Sequence, residues 1–253
     1  MGLLRRLSLG AMLWSIFLSL TVIGISYLSV SRKLVLFLHP HSWWALAPAT
    51  ALLSLLSIVS WRGLHSRHGH NPVGWSHALF FLPLLLALSC PPQMLSPEVI
   101  SKRGPFGVLP GHALSRSKTH APLPVFAEGQ PIVVNDENFL ALMEALWENT
   151  DSYIGRSLQM LGFVYEDPSL GATDFVLARL IMTCCAADAE VAGLLCRSPE
   201  KSQLTPGQWV TVSGTLDKMP YYNAAMREVV EMPYLQVTEI VPAEKPAQEY
   251  IYP

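Results

Sequence analysis

Two adjacent cysteines, Cys184 and Cys185, stand just ahead of a carboxylate, Asp188. All three close the apolar run Asp174–Asp188, which reads Asp-Phe-Val-Leu-Ala-Arg-Leu-Ile-Met-Thr-Cys-Cys-Ala-Ala-Asp. Thiolates and a carboxylate are metal ligands, and sulfur with oxygen suits a borderline-soft ion such as zinc. Cys196 lies further along, where a hairpin between the second and third strands of the domain would bring it toward the pair. Three readings are open for these thiols. They are small buried hydrophobes, or Cys196 is disulfide-bonded to one of the pair in an oxidising compartment. In the third, Cys184, Cys185 or Cys196 and Asp188 form a metal or redox site. The spacing lacks the Cys-x-x-Cys of a structural zinc site, and no histidine follows His120 to complete one. The same lack of a histidine base argues against a nucleophilic cysteine and against an enzyme.

Arg179 interrupts the apolar run and shares the Cys185 face by strand alternation. A buried guanidinium needs a carboxylate, and Asp174, Glu166 and Glu239 are the candidates. The alternative use of the guanidinium is contact with a substrate or anion, and Asp188 is the second candidate binding residue. A second group of possible ligands, His65, His68 and His70 with His77 behind them, falls in a Gly- and Asn-containing loop with no fixed geometry.

The elements that position the cysteines are short strands. Ser157–Glu166, Phe175–Cys185, Val191–Arg197, Trp209–Leu216 and Tyr234–Ile240 read as five, separated by turns at Asp167-Pro168, Pro206-Gly207 and Met219-Pro220. Gly162 and Gly214 inside strands mark a bulge or corner. Ahead of them Asn138–Asn149 carries Phe139, Leu142, Met143, Leu146 and Trp147 on one helical face, with Asn135 or Asp136 as its cap. Five bent strands and one helix suit a small OB-like five-stranded β-barrel, with an open sheet or sandwich as the alternative.

Charge is distributed unevenly. Residues 1–97 contain six Lys or Arg and no acid, whereas 98–253 contain 11 basic and 19 acidic residues. Such a tail argues against nucleic-acid binding, which needs a basic face. Leu7–Ser31 has no charge, and apolar cores at 11–30, 43–61 and 75–91 read as three membrane helices. Arg5 and Arg6 place the N-terminus in the cytoplasm and, after three crossings, the acidic domain outside. The few polar groups in the spans do not build a solute path, which points to a helper rather than a transporter. The expected chain is therefore a membrane-anchored α + β protein. Residues 1–92 form the membrane region, 93–130 a Pro-rich linker with eight prolines from Pro91 to Pro131, and 131–253 the β domain.

The chain resembles the YcgQ-like family of bacterial membrane proteins, described as permease subunits. Cys184-Cys185-Ala186-Ala187-Asp188-Ala189 carries the likeness most specifically. Arg103-Gly104, Gly162-Phe163-Val164-Tyr165, Trp209-Val210-x-Val212-x-Gly214 and Tyr250-Ile251-Tyr252 add to it. The resemblance implies a non-enzymatic accessory subunit beside a larger polytopic permease in the bacterial plasma membrane, and carries no catalytic residues. The alternative from the residues themselves is a thiol-based, zinc-type metal or redox protein centred on Cys184 and Cys185.

Overall fold

The computed structural model describes residues 9–63, 75–89, 126, 129–166, 170–223 and 227–253. It divides into two compact units, Met1–Gln93 and Met94–Pro253. The histidines at 65, 68 and 70, Cys90 and nearly all of the 93–130 linker lie outside the described residues.

In the first unit, apolar sequence without strand alternation forms three helices, α1 (Leu9–Val30), α2 (Trp43–Gly63) and α3 (Trp75–Ser89). A helix satisfies its own backbone groups, as any lipid-exposed span must. Two helical stretches, Met12–Val30 and Pro40–Arg62, are long and apolar enough to cross a membrane. The third expected span forms a helix of only 15 residues with Pro83 inside it. That is ~22 Å of helix against the ~30 Å of a hydrocarbon core.

Polar side chains stitch α1 to α2. Ser15 and Ser60 share a hydrogen bond of 2.7 Å, Ser19 and Ser57 one of 2.9 Å, and the Trp61 indole donates to Ser19 at 3.0 Å. Pairing Ser15 with Ser60 and Ser19 with Ser57 makes the helices antiparallel. Small hydroxyl residues allow close approach where lipid supplies no hydrophobic drive. Trp61, at the end of the second apolar core, serves this seam. Phe17 meets Phe80 and Phe81 of α3 with ring centroids 6.0 and 5.6 Å apart.

The second unit holds all seven strands found among the described residues. They are β1 (Ile132–Val134), β2 (Ser157–Tyr165), β3 (Asp174–Ile181), β4 (Glu190–Arg197), β5 (Trp209–Asn223), β6 (Glu228–Pro242) and β7 (Tyr250–Ile251). The mixed sheet runs β1-β2-β5-β6-β4-β3-β7, and β2 also pairs with β3. Helix α4 (Phe139–Glu148) precedes β2. Its buried Phe139, Leu142, Met143 and Leu146 join Leu158, Met160, Val164, Phe175, Leu177, Leu194, Val210, Val212 and Leu235 in one core. The N-cap of α4 is Asn138 rather than the expected Asn135 or Asp136, and Asn135 instead closes the turn ahead of it, its side chain accepting from the amides of Glu137 and Asn138 at 3.1 and 2.9 Å.

All five expected strands form, and the differences have physical causes. The expected turn at Met219-Pro220 is strand: Met219 pairs with Met232 and Pro220 with Glu231. Proline is tolerated there because β2 leaves β5 after Thr215, so the other edge of Pro220 needs no donor. The second strand ends at Ile181, not Cys185. Gly214 does mark a bulge, with the β5–β6 register shifting between Ser213 and Gly214. A Cβ there would lie 2.4 Å from the Gln236 carbonyl oxygen.

Candidate functional site

Because β3 stops at Ile181, the residues after it escape the alternation that would send adjacent side chains to opposite faces. Residues 182–189 form the connection to β4, tied at its start by the Met182 amide donating to Ile251 of β7 at 3.0 Å. A short 3-10 turn, Ala186–Asp188, follows. With three residues per turn, it brings residue 188 back over residue 185. The Asp188 amide donates to the Cys185 carbonyl at 2.9 Å. Its carboxylate in turn accepts from the Cys184 amide at 2.7 Å and the Thr183 amide at 3.2 Å, with longer 3.4 Å contacts to the Cys185 amide.

The result is a knot of three donors. The Cys184 and Cys185 sulfurs are 3.7 Å apart, and one ligand atom from each of Cys184, Cys185 and Asp188 falls within 4.8 Å of the others. Cys184 is exposed, while Cys185 and Asp188 are half-buried. Hydrogen bonding to the Asp188 carboxylate, and then to Cys185, pushes the Cys184 thiol up to about 12. Partial burial raises the Asp188 carboxyl, but the Cys184 thiol and the loop amides outweigh it and hold it below the usual aspartate value. At neutral pH the loop therefore presents a carboxylate already oriented against a protonated thiol.

Cys196 is not part of this knot. It sits in β4 opposite Phe175, six residues before Ile181 in β3, which places it ~20 Å along the hairpin from the loop. It is fully buried in the core, where burial pushes its thiol well above the ordinary range. Cys184, Cys185 and Cys196 are all free thiols. The reading as a small buried hydrophobe thus holds for Cys196 and fails for exposed Cys184, and the expected approach of Cys196 to the pair is corrected.

Arg179 also lies apart from the knot, 3% exposed and facing the core. Its expected partners were Asp174, Glu166 and Glu239, but its carboxylate comes from Asp136 at 2.8 Å, in the turn before α4. The same nitrogen donates to the Gln248 carbonyl at 3.3 Å, and the guanidinium lies 5.5 Å from the Trp209 ring centroid. Three distant segments are fastened by one side chain. Asp174 is engaged instead by Arg197, through Nε at 2.8 Å and Nη2 at 3.0 Å.

Sequence reasoning missed Asp136 as an ion-pair partner and the Ser15–Ser19–Ser57–Ser60 seam. The seam had a signal: serines four apart on α1 face serines three apart on α2, one helical face in each case. Asp136 had none, because nothing in its neighbourhood points to a residue on β3.

Residues 113–253, more than half of the chain, match the DUF1980 C-terminal domain. The chain belongs to this family. The UPF0703 protein YcgQ of Bacillus subtilis is 25% identical over 127 residues, which cover 50% of this chain and 43% of that relative. The chain thus spans less than half the length of that protein. A Streptococcus mutans protein, provisionally named a two-component membrane permease complex subunit, is 24% identical over 261 residues. That alignment covers 89% of this chain and 93% of the relative. The YcgQ-like resemblance read from the Cys-Cys-x-Ala-Asp-Ala run is therefore shown. Among solved structures, the mitochondrial single-stranded DNA binding protein Rim1 of S. cerevisiae matches 35% of the chain and 94% of its own length. With 8% identity and a TM-score of 0.24, that likeness carries no argument about fold or ligand.

Proposed function

We propose that this chain is a non-enzymatic accessory subunit of a membrane permease complex, seated beside a larger polytopic partner. One observation carries the reading. The alignment with the S. mutans permease-complex subunit runs through the apolar helices as well as the β unit, over 89% of this chain. The helices fit a docking role: α1 and α2 satisfy their own serines against each other and leave Leu52, Leu55, Ile58 and Val59 exposed for lipid or a partner helix.

The β unit, in this proposal, is an OB-type barrel that binds a substrate or partner on the outer face of the plasma membrane. The pairing supports the barrel: β2 pairs with both β3 and β5, β5 with β6, β6 in parallel with β4, and β4 with β3. The arginines before α1 support the outward placement if α3 completes a third crossing. The excess of acids over bases in residues 98–253 favours a cationic or protein ligand over nucleic acid.

The test is affinity purification of the full chain from membranes of the organism that makes it, in mild detergent. Recovery of one polytopic membrane protein in near-equal amount is the expected result. Recovery of none across several detergents would sink the proposal. For the placement, a cysteine-free variant carrying Val229→Cys, at an exposed position of β6, is treated on intact cells with a membrane-impermeant maleimide. Labelling is expected, and labelling only after lysis puts the domain inside.

A further inference from the structure

We propose that Cys184, Cys185 and Asp188 form an exchangeable site for a divalent ion of the Zn2+ class, with one coordination position left open to solvent or to a delivering partner. The geometry fits the ion. Sulfurs bound at ~2.3 Å to one tetrahedral zinc stand ~3.8 Å apart. The sulfurs of Cys184 and Cys185 are 3.7 Å apart before any ion arrives. A linear two-sulfur arrangement at the same bond length would require ~4.6 Å. The carboxylate of Asp188 has about four acceptor positions. Amides of Thr183, Cys184 and Cys185 use some of them and thereby aim the group, as outer-shell partners do for metal ligands.

Openness follows from count and exposure. A structural zinc site closes with four protein ligands, whereas three with a free position mark a site where something else binds. Here the free side is solvent, since Cys184 is exposed and Cys185 and Asp188 are half-buried. On binding, the two thiols lose their protons to bulk water and their sulfurs take up the ion together with the Asp188 oxygen. No electron moves. The proposal stands apart from the permease reading, because it concerns the isolated chain.

The experiment uses the full chain in detergent, fully reduced and without a polyhistidine tag, titrated with Co2+ as a spectroscopic stand-in and then with Zn2+. Thiolate-to-cobalt charge-transfer absorption reports sulfur ligation, so any ion collected by histidines in residues 65–70 does not contribute. Expected is saturation at one equivalent, displacement by Zn2+, and the same behaviour in Cys196→Ala. Cys184→Ser and Cys185→Ser should each weaken binding by ~100-fold or more, given that losing even an outer-shell partner costs roughly 10–100-fold. Asp188→Asn also loosens the loop amides, so Cys184→Ser, at an exposed position, is the deciding variant, with circular dichroism to show an unchanged fold. No thiolate band in the reduced wild-type chain would overturn the site. So would a band that survives in the Cys184→Ser, Cys185→Ser double variant.

Discussion

The β3–β4 hairpin carries an aspartate and cysteine at each end, and the two ends behave differently. At the strand-start end, Asp174 gives both oxygens to Arg197, and Cys196 is enclosed opposite Phe175. Arg197 is further held over the Tyr234 ring, 5.0 Å from its centroid, and Tyr234 donates to Asp217 at 3.1 Å. At the connecting-loop end, Asp188 has no cationic partner among its described contacts. Amides and a thiol orient it toward solvent beside two sulfurs. The same residue types are structural where a cation and a sheet enclose them, and poised for a ligand where the strand has ended.

The most severe way to break the enclosed type of site is at Arg179. Asp136→Ala should destabilise the β unit by about 3 kcal/mol in urea unfolding followed by near-UV circular dichroism. That is the low end for leaving a buried charge without its partner, because Asp136 itself is 38% exposed. A loss under ~1 kcal/mol would mean that the Gln248 carbonyl and Trp209 suffice to hold the guanidinium.

The hairpin comparison itself is tested by one substitution at each end. Cys196→Ser places a hydroxyl in the core and should cost about 2 kcal/mol. Cys184→Ser in the loop should stay within ~0.5 kcal/mol, as surface changes do. Equal effects at both ends would erase the distinction.

Asp174→Asn should cost ~1–2 kcal/mol, a bidentate charged pair that is only partly buried. Its pH dependence has a definite sign. The hydrogen bond from Arg197 outweighs burial and holds the Asp174 carboxyl below its ordinary 3.8. The stability it contributes is therefore complete above that value and is lost as pH falls through the lower folded value. Urea midpoints of wild type and Asp174→Asn should differ at pH 6 and converge in strong acid. A small effect is also expected in the membrane unit: Ser19→Ala should loosen α1 from α2 by only ~0.6 kcal/mol, read as a shift in detergent melting temperature.

Much of this was legible in the residues. Phe139, Leu142, Met143 and Leu146 announced α4, and the strand-like run Trp209–Leu216 announced the first half of β5. The adjacency of Cys184 and Cys185 put two sulfurs within reach of Asp188. What failed were statements about register. Placing Cys196 near the pair assumed a hairpin without knowing that Ile181 pairs with Glu190, which sends Cys196 to the opposite end. The Met219-Pro220 turn failed because proline forbids a ladder donor only where a neighbour strand needs one.

The uncharged helices, the basic-to-acidic change along the chain and the local donor set of the Cys-Cys-x-Ala-Asp run are readable from residue types and their order. Each depends on covalent neighbours or on periodicity within one segment. Which carboxylate serves Arg179, which end of the hairpin is sealed and which sulfurs face solvent emerge only once the strands are assembled. Those outcomes depend on strand register and on contacts between segments far apart in the chain. No local preference encodes them, because each is set by the packing of the whole β unit.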